Sequence, residues 1–187
     1  MASDSTPPLV QQNLTFPEDE DGARFAADSV LAFPDAAHLR GEGGTLSLEI
    51  EPDWDGNDPG DFSLLNVRNP NDPNNMLRVY KNGRFLRYIF ADNTAQEREI
   101  GFDMSDWESG ERHEVAVTWG DSTTVLYVDG RAVGRNSYGG SLEIPSGTPM
   151  YIGSDIPEAP PSGAGGVISD LRVYGKALNG RQIANAR

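Results

Sequence analysis

Strict alternation of apolar and polar residues constrains this chain most, and it is clearest in Thr45-Leu46-Ser47-Leu48-Glu49-Ile50-Glu51. A period of two puts every second side chain on one face of an extended strand, so such a segment needs one dry face and one wet face. Similar alternation or short apolar runs recur at Arg24 to Phe33, Phe62 to Arg68, Met76 to Lys81, Phe85 to Ala91, Arg98 to Phe102, Glu114 to Trp119, Thr124 to Asp129, Met150 to Gly153 and Val167 to Tyr174. Turn chemistry separates nearly all of them. Lys81-Asn82-Gly83-Arg84 sets Asn-Gly between two strands, the pair that best tolerates the two positive φ angles of a type I′ hairpin, and Asp129-Gly130 repeats that logic. The tetrapeptide Leu-Arg-Val-Tyr at 77–80 and again at 171–174 reads as two strands sharing one in/out alternation. Helical signal is confined to the end, where Asn179 is placed to cap a short segment through Ile183 and Ala186 that would pack on an edge of the fold. With 21 Gly and 13 Pro among 187 residues, the pattern predicts one all-β domain of many short strands.

Composition removes several function classes. Twenty-nine acidic against 15 basic residues give a formal charge of -14, and no Lys/Arg run is present, so a nucleic-acid backbone would be repelled. The absence of cysteine removes disulfides, thiolate nucleophiles and sulfur-ligated metals. No stretch approaches the ~18 continuous apolar residues that span a bilayer, so membrane insertion is not expected, and no signal peptide is visible in the chain. Residues 1–21 hold Pro7, Pro8, Pro17 and the run Glu18-Asp19-Glu20-Asp21 around scattered apolar anchors; they read as an N-terminal arm that docks on its own domain or on a neighbouring subunit, ahead of a domain over 22–187.

The segment Gly110-Glu111-Arg112-His113-Glu114-Val115-Ala116-Val117-Thr118-Trp119, followed by Thr124-Val125-Leu126-Tyr127-Val128-Asp129-Gly130-Arg131-Ala132-Val133, resembles the central hairpin of laminin-G-like and concanavalin A-like jelly rolls. Gly166-Val167-Ile168-Ser169-Asp170-Leu171-Arg172-Val173-Tyr174-Gly175-Lys176-Ala177-Leu178 is similar to the closing strand of that family, with its short helix at Gln182 and Ile183. The family usually carries a tryptophan where Arg112 stands; here the nearest is Trp107. The resemblance implies a two-sheet antiparallel jelly-roll sandwich with first and last strands adjacent. It does not transmit a function, because this superfold hosts lectins, glycanases, protein-binding modules and structural domains.

Several residue groups are candidates for chemistry. Glycanases of this fold resemble one another in Glu-x-Asp-x-x-Glu; the nearest approach is Glu49-x-Glu51-x-Asp53, whose spacing differs and which Pro52 interrupts, and these acids read equally well as a solvated face. His113 falls within a strand and reads as structural, while His38 sits in a polar loop. With two histidines, no cysteine and no Gly-x-Ser-x-Gly elbow, no catalytic residue is assigned. In Asp53-Trp54-Asp55-Gly56-Asn57-Asp58-Pro59-Gly60-Asp61, hard oxygen donors on a glycine-containing loop fit calcium, with Asp53, Asp55, Asn57, Asp58 and Asp61 as ligands; a solvated acidic loop is the other reading. No motif requires a cofactor. Trp54, and Tyr138 with Arg135 and Asn136, are aromatic and polar groups suited to a sugar face or a protein contact, unless each ring folds back over the sandwich.

These features point to a non-catalytic interaction or structural module on the exterior of a larger assembly, such as a virion decoration or appendage protein or a cell-surface component. Its partners would be protein neighbours, through the arm, or glycans, and its location extracellular or on a particle surface. A calcium-assisted lectin and an atypical glycanase are the rival readings.

Overall fold

The computed structural model describes residues 7–18, 20–34, 39–156, 159–160 and 162–186; His38 lies outside them. In chain order the elements are β1 (Val10–Thr15), β2 (Ala23–Phe33), β3 (Gly43–Pro52), β4 (Asp61–Arg68), β5 (Met76–Asn82), β6 (Phe85–Ala91), β7 (Glu97–Asp103), β8 (His113–Gly120), β9 (Thr123–Val128), β10 (Arg131–Ser137), β11 (Met150–Ile152), β12 (Gly166–Tyr174) and α1 (Gly180–Ala184). The hydrogen-bonded order forms two layers, β10-β9-β8-β3-β12 and β11-β4-β5-β6-β7. Strand β2 serves both, pairing Ala23, Arg24 and Phe25 with β12 and Leu31, Ala32 and Phe33 with β11. All pairings are antiparallel, so the expected jelly-roll sandwich is what the chain forms.

The dry layer follows from the alternation. Leu46, Leu48 and Ile50 of β3 and Val115, Val117 and Trp119 of β8 meet Leu65 and Val67 of β4, Leu77 and Val79 of β5, and Leu86, Tyr88 and Phe90 of β6 in one buried cluster. Each such side chain contributes about 2 kcal/mol of burial, which makes this layer the main source of stability. The two Leu-Arg-Val-Tyr segments behave alike on opposite layers: Leu77 and Val79 are core residues, and Leu171 and Val173 pack against the same core. A second, smaller cluster lies outside. Ala116, Val125 and Tyr127 on the outer face of β8 and β9 are covered by Leu178 and Ile183. Helix α1 therefore packs on a sheet face rather than on an edge, because β9 is apolar on both sides. Its start is as expected: Asn179 caps it, with a reciprocal bond between Gln182 and the cap.

Two turn expectations separate. Asp129 (φ 50°) and Gly130 (φ 74°) both adopt positive φ between the paired Val128 and Arg131, as a type I′ turn requires. In the other hairpin Asn82 pairs with Phe85, so the loop is Gly83-Arg84 and only Gly83 (φ 53°) is left-handed. The turn is shifted one residue because Asn82 remains in the strand, where its side chain donates to Asp61 Oδ1 at 2.7 Å.

The described part of the arm contributes a strand. Strand β1 pairs along β2, with Val10 opposite Ala32 and Thr15 opposite Arg24, so this part of the arm docks on its own sandwich. Its polar sequence hides it, because an edge strand needs little apolar surface.

Tyr88 ties the layers together. Its hydroxyl lies 2.6 Å from Thr124 Oγ1, which itself donates to Thr118 O at 3.0 Å, so the tyrosine is the donor. Burial raises the phenol pKa well above its ordinary value. The unfolded chain ionises near pH 10 while the folded one keeps its proton, so stability falls as pH rises above about 10. Tyr88→Phe is expected to cost about 1 kcal/mol at neutral pH and to flatten that alkaline decline, read as melting temperature between pH 8 and 11.

Candidate functional site

The rim loop between β3 and β4 places its residues apart. Trp54 is buried, 4% exposed, with Nε1 donating to Ala164 O at 2.8 Å. It belongs to a column of stacked rings, Phe62, Trp54, Trp107 and His113, with centroids 5.2, 6.3 and 3.8 Å apart. Of the two readings open for Trp54, the ring folds back and is no surface contact residue: it closes one end of the sandwich. The candidate oxygen donors turn to separate partners. Asp53 takes Arg24 Nη1 at 2.7 Å, Asp55 accepts from Ser109 N at 2.9 Å, and Asn57 donates to Ser105 O at 3.1 Å. Asp58 accepts from Gly60 N at 2.7 Å and Asp61 from Asn82 Nδ2 at 2.7 Å. Among the described residues no three Asp, Glu or His side chains converge to hold a metal ion.

The second candidate group divides too. Tyr138 is 7% exposed and lies with its ring 4.5 Å from that of Phe90, so it is a core residue and not a surface platform. Asn136 donates Nδ2 to Glu99 O at 2.9 Å, closing β10 against β7. Arg135 alone of this group is exposed. The loop after Tyr138 is held by Asp92, which is fully buried and accepts from Thr94 N at 2.9 Å, Gly140 N at 3.0 Å, Gly139 N at 3.2 Å and the Thr94 hydroxyl. Burial alone would raise the Asp92 pKa, but the hydrogen bonds outweigh it and hold the carboxyl below the usual range. A depressed folded pKa gives stability that is present above about pH 4 and lost as pH falls through the folded value. Asp92→Asn is expected to cost about 2 to 3 kcal/mol at pH 7 and to weaken the acid dependence of urea unfolding between pH 5 and 3.

The acidic row of β3 is clamped. Arg112 approaches Glu51 at 3.1 Å and Glu49 at 3.7 Å, and Arg24 joins Asp53 to Glu20. These carboxylates form a paired outer face. His113 stacks on Trp107, with Nδ1 at 3.1 Å from Asp129 Oδ2. Trp107 therefore fills space beside His113, while Arg112, at the family's tryptophan position, serves the acids.

One cluster escaped the sequence reading. On the outer face of the second layer, Arg68 of β4, Arg78 of β5 and Arg87 of β6 form a diagonal. Arg68 lies opposite Met76, Arg78 opposite Asn66, and Arg87 opposite Tyr80, so each step crosses one strand and shifts two residues. Such diagonal neighbours stand roughly 7 to 8 Å apart. Arg78 stacks over the Tyr80 ring at 4.2 Å and meets Asp155 at 2.6 Å; Arg87 pairs with Glu99. Arg68 contacts Met76 Sδ at 3.4 Å and has no carboxylate partner among the described residues. The Nε–H of all three is buried and has no acceptor among the described residues. Burial, with Glu99 adding to it, raises the Tyr80 phenol pKa, which keeps a neutral donor beside the guanidinium groups. Alternation told that these side chains face outward, but only the register brings them together.

Comparison with known proteins agrees with this architecture. Among solved structures, the botulinum neurotoxin serotype D binding domain superposes with a TM-score of 0.74 at 14% identity, covering 96% of this chain and 46% of that one. The botulinum neurotoxin serotype G binding domain gives 0.71 at 12% identity, covering 98% and 47%. The native heptameric SAP-like pentraxin from Limulus polyphemus gives 0.58 at 19% identity, covering 77% and 69%. This chain thus spans a little under half of the toxin binding domains, and at these identities the likeness is one of fold. No curated protein matches. A family model matches residues 25–184, and the chain belongs to the concanavalin A-like lectin/glucanase superfamily, in its laminin-G branch.

Proposed function

We infer that this chain is a non-catalytic recognition module, displayed on the exterior of a larger assembly such as a virion, an appendage or a cell surface. It meets a protein or glycan partner through the outer face of the second layer. The observation that carries this reading is the arginine diagonal: a chain of formal charge -14 gathers three of its 15 basic residues on one sheet face, and Arg68 has no carboxylate partner there among the described residues. Planar guanidinium groups suit carboxylate-bearing partners, and Tyr80 adds an amphipathic ring to the same face. The clamped acids of β3 and the binding domains among the structural neighbours favour recognition over turnover. The arm supplies an attachment surface. Leu9 and Phe16, the large apolar side chains exposed among the described residues, flank β1.

A glycan array comparing acidic with neutral sugars tests the surface. Retention of acidic glycans that falls at least tenfold in the Arg78→Ala/Arg87→Ala double variant and in high salt is expected. Equal binding of neutral glycans, unchanged in that variant, would remove the assignment.

A further inference from the structure

We propose that the rim loop 53–61 carries its own cation, the Lys81 ammonium, in the place a calcium ion would take, so that this loop is independent of divalent metal. Lys81 continues the inward series Leu77, Val79, Lys81 of β5 and is fully buried. A buried ammonium is tolerated only where its three protons find acceptors. They do: Nζ donates to Asp58 O, to Gly60 O at 3.2 Å and to Gly83 O at 2.5 Å. The faces of Trp54 and Phe62 stand 5.2 and 5.4 Å away, completing the cage with two π-surfaces.

Three carbonyl oxygens from two loops converging on a point are the donors a hard cation takes, and here the point is occupied from within. The side-chain oxygens expected as ligands point elsewhere, each to a partner of its own. Burial lowers the Lys81 pKa, and Asp58 and Asp61 oppose that by favouring the charged form. The acidity of the loop thus serves an internal charge. A divalent ion brought to the same oxygens would meet a fixed ammonium and two ring faces, none of which is a ligand. The inference stands on loop geometry alone and holds whether or not the arginine face is the recognition surface.

The test uses the whole chain. Thermal unfolding of the wild type is followed with 10 mM calcium chloride and with EDTA. A calcium site of 0.1 mM affinity would raise the melting temperature by about 5 to 10 °C under these conditions, whereas coincident curves are expected. A saturable rise of that size would overturn the proposal. In parallel, Lys81→Ala is expected to melt at least about 10 °C lower, with part of the loss restored by 100 mM methylammonium chloride but not by sodium chloride of equal ionic strength. A Lys81→Ala variant that melts like the wild type would also overturn it. Should this variant fail to fold, the wild-type calcium titration decides alone.

Discussion

Trp54→Ala is expected to lower the stability of this protein by about 4 kcal/mol, seen as a large fall in the urea midpoint with an unchanged slope. Three losses combine. The indole is 4% exposed, and its removal leaves a void between Phe62 and Trp107, which stack on its two sides at 5.2 and 6.3 Å. The Nε1 bond to Ala164 O disappears, leaving a buried carbonyl without its donor. The Lys81 ammonium loses one of the two ring faces beside it. Trp54→Phe separates these effects, since a phenyl ring keeps part of the stack and loses the hydrogen bond, so its cost should be nearer 2 kcal/mol. An exposed sugar-stacking tryptophan would behave in the opposite way: its removal would abolish binding and move stability by less than about 0.5 kcal/mol.

That contrast shows where sequence reading ends. The alternation in Thr45 to Glu51 and its repeats was enough to place the core, because a face with period two has few ways to be buried. The capping of α1 and the Asp129-Gly130 turn were equally legible, since both are local chemistry. Trp54 was not. It stands among four aspartates and two glycines, a polar neighbourhood by sequence, and its burial arises from Ala164 and Trp107, residues 110 and 53 positions away. Lys81 was hidden for a related reason: a lysine at the inward position of an amphipathic strand reads as the strand's end until the carbonyls of Asp58, Gly60 and Gly83 are brought around it. The arginine diagonal needed the register of three strands, which hydrophobic pattern alone does not fix. What the chain folds into was therefore written in local periods, and where its charges meet was written in pairing.

Gly56→Ala provides the sharpest test of how the rim is built, and it should cost about 3 kcal/mol or more. Gly56 has no positive φ, so its backbone is open to any residue. Space is what forbids a side chain: a Cβ there would lie 1.6 Å from Met104 O and 2.6 Å from the carbonyl carbon. The obstacle is backbone, and that backbone is fixed, because Gly56 N donates to Trp107 O at 2.9 Å while Trp107 N donates to Met104 O at 2.9 Å. Relief would have to separate the two segments that seat Trp54 and Trp107, so the overpacking penalty should reach or pass the upper end of its usual range of about 1 to 3 kcal/mol. Gly83→Ala is the complementary case. There a Cβ meets nothing within 4 Å among the described residues, but φ is 53°, and the left-handed conformation should cost about 1 kcal/mol. Denaturant unfolding of both variants checks the pair. A Gly56→Ala protein no less stable than Gly83→Ala would mean that the 104–107 turn yields, and that the end of the sandwich is not a rigid stack.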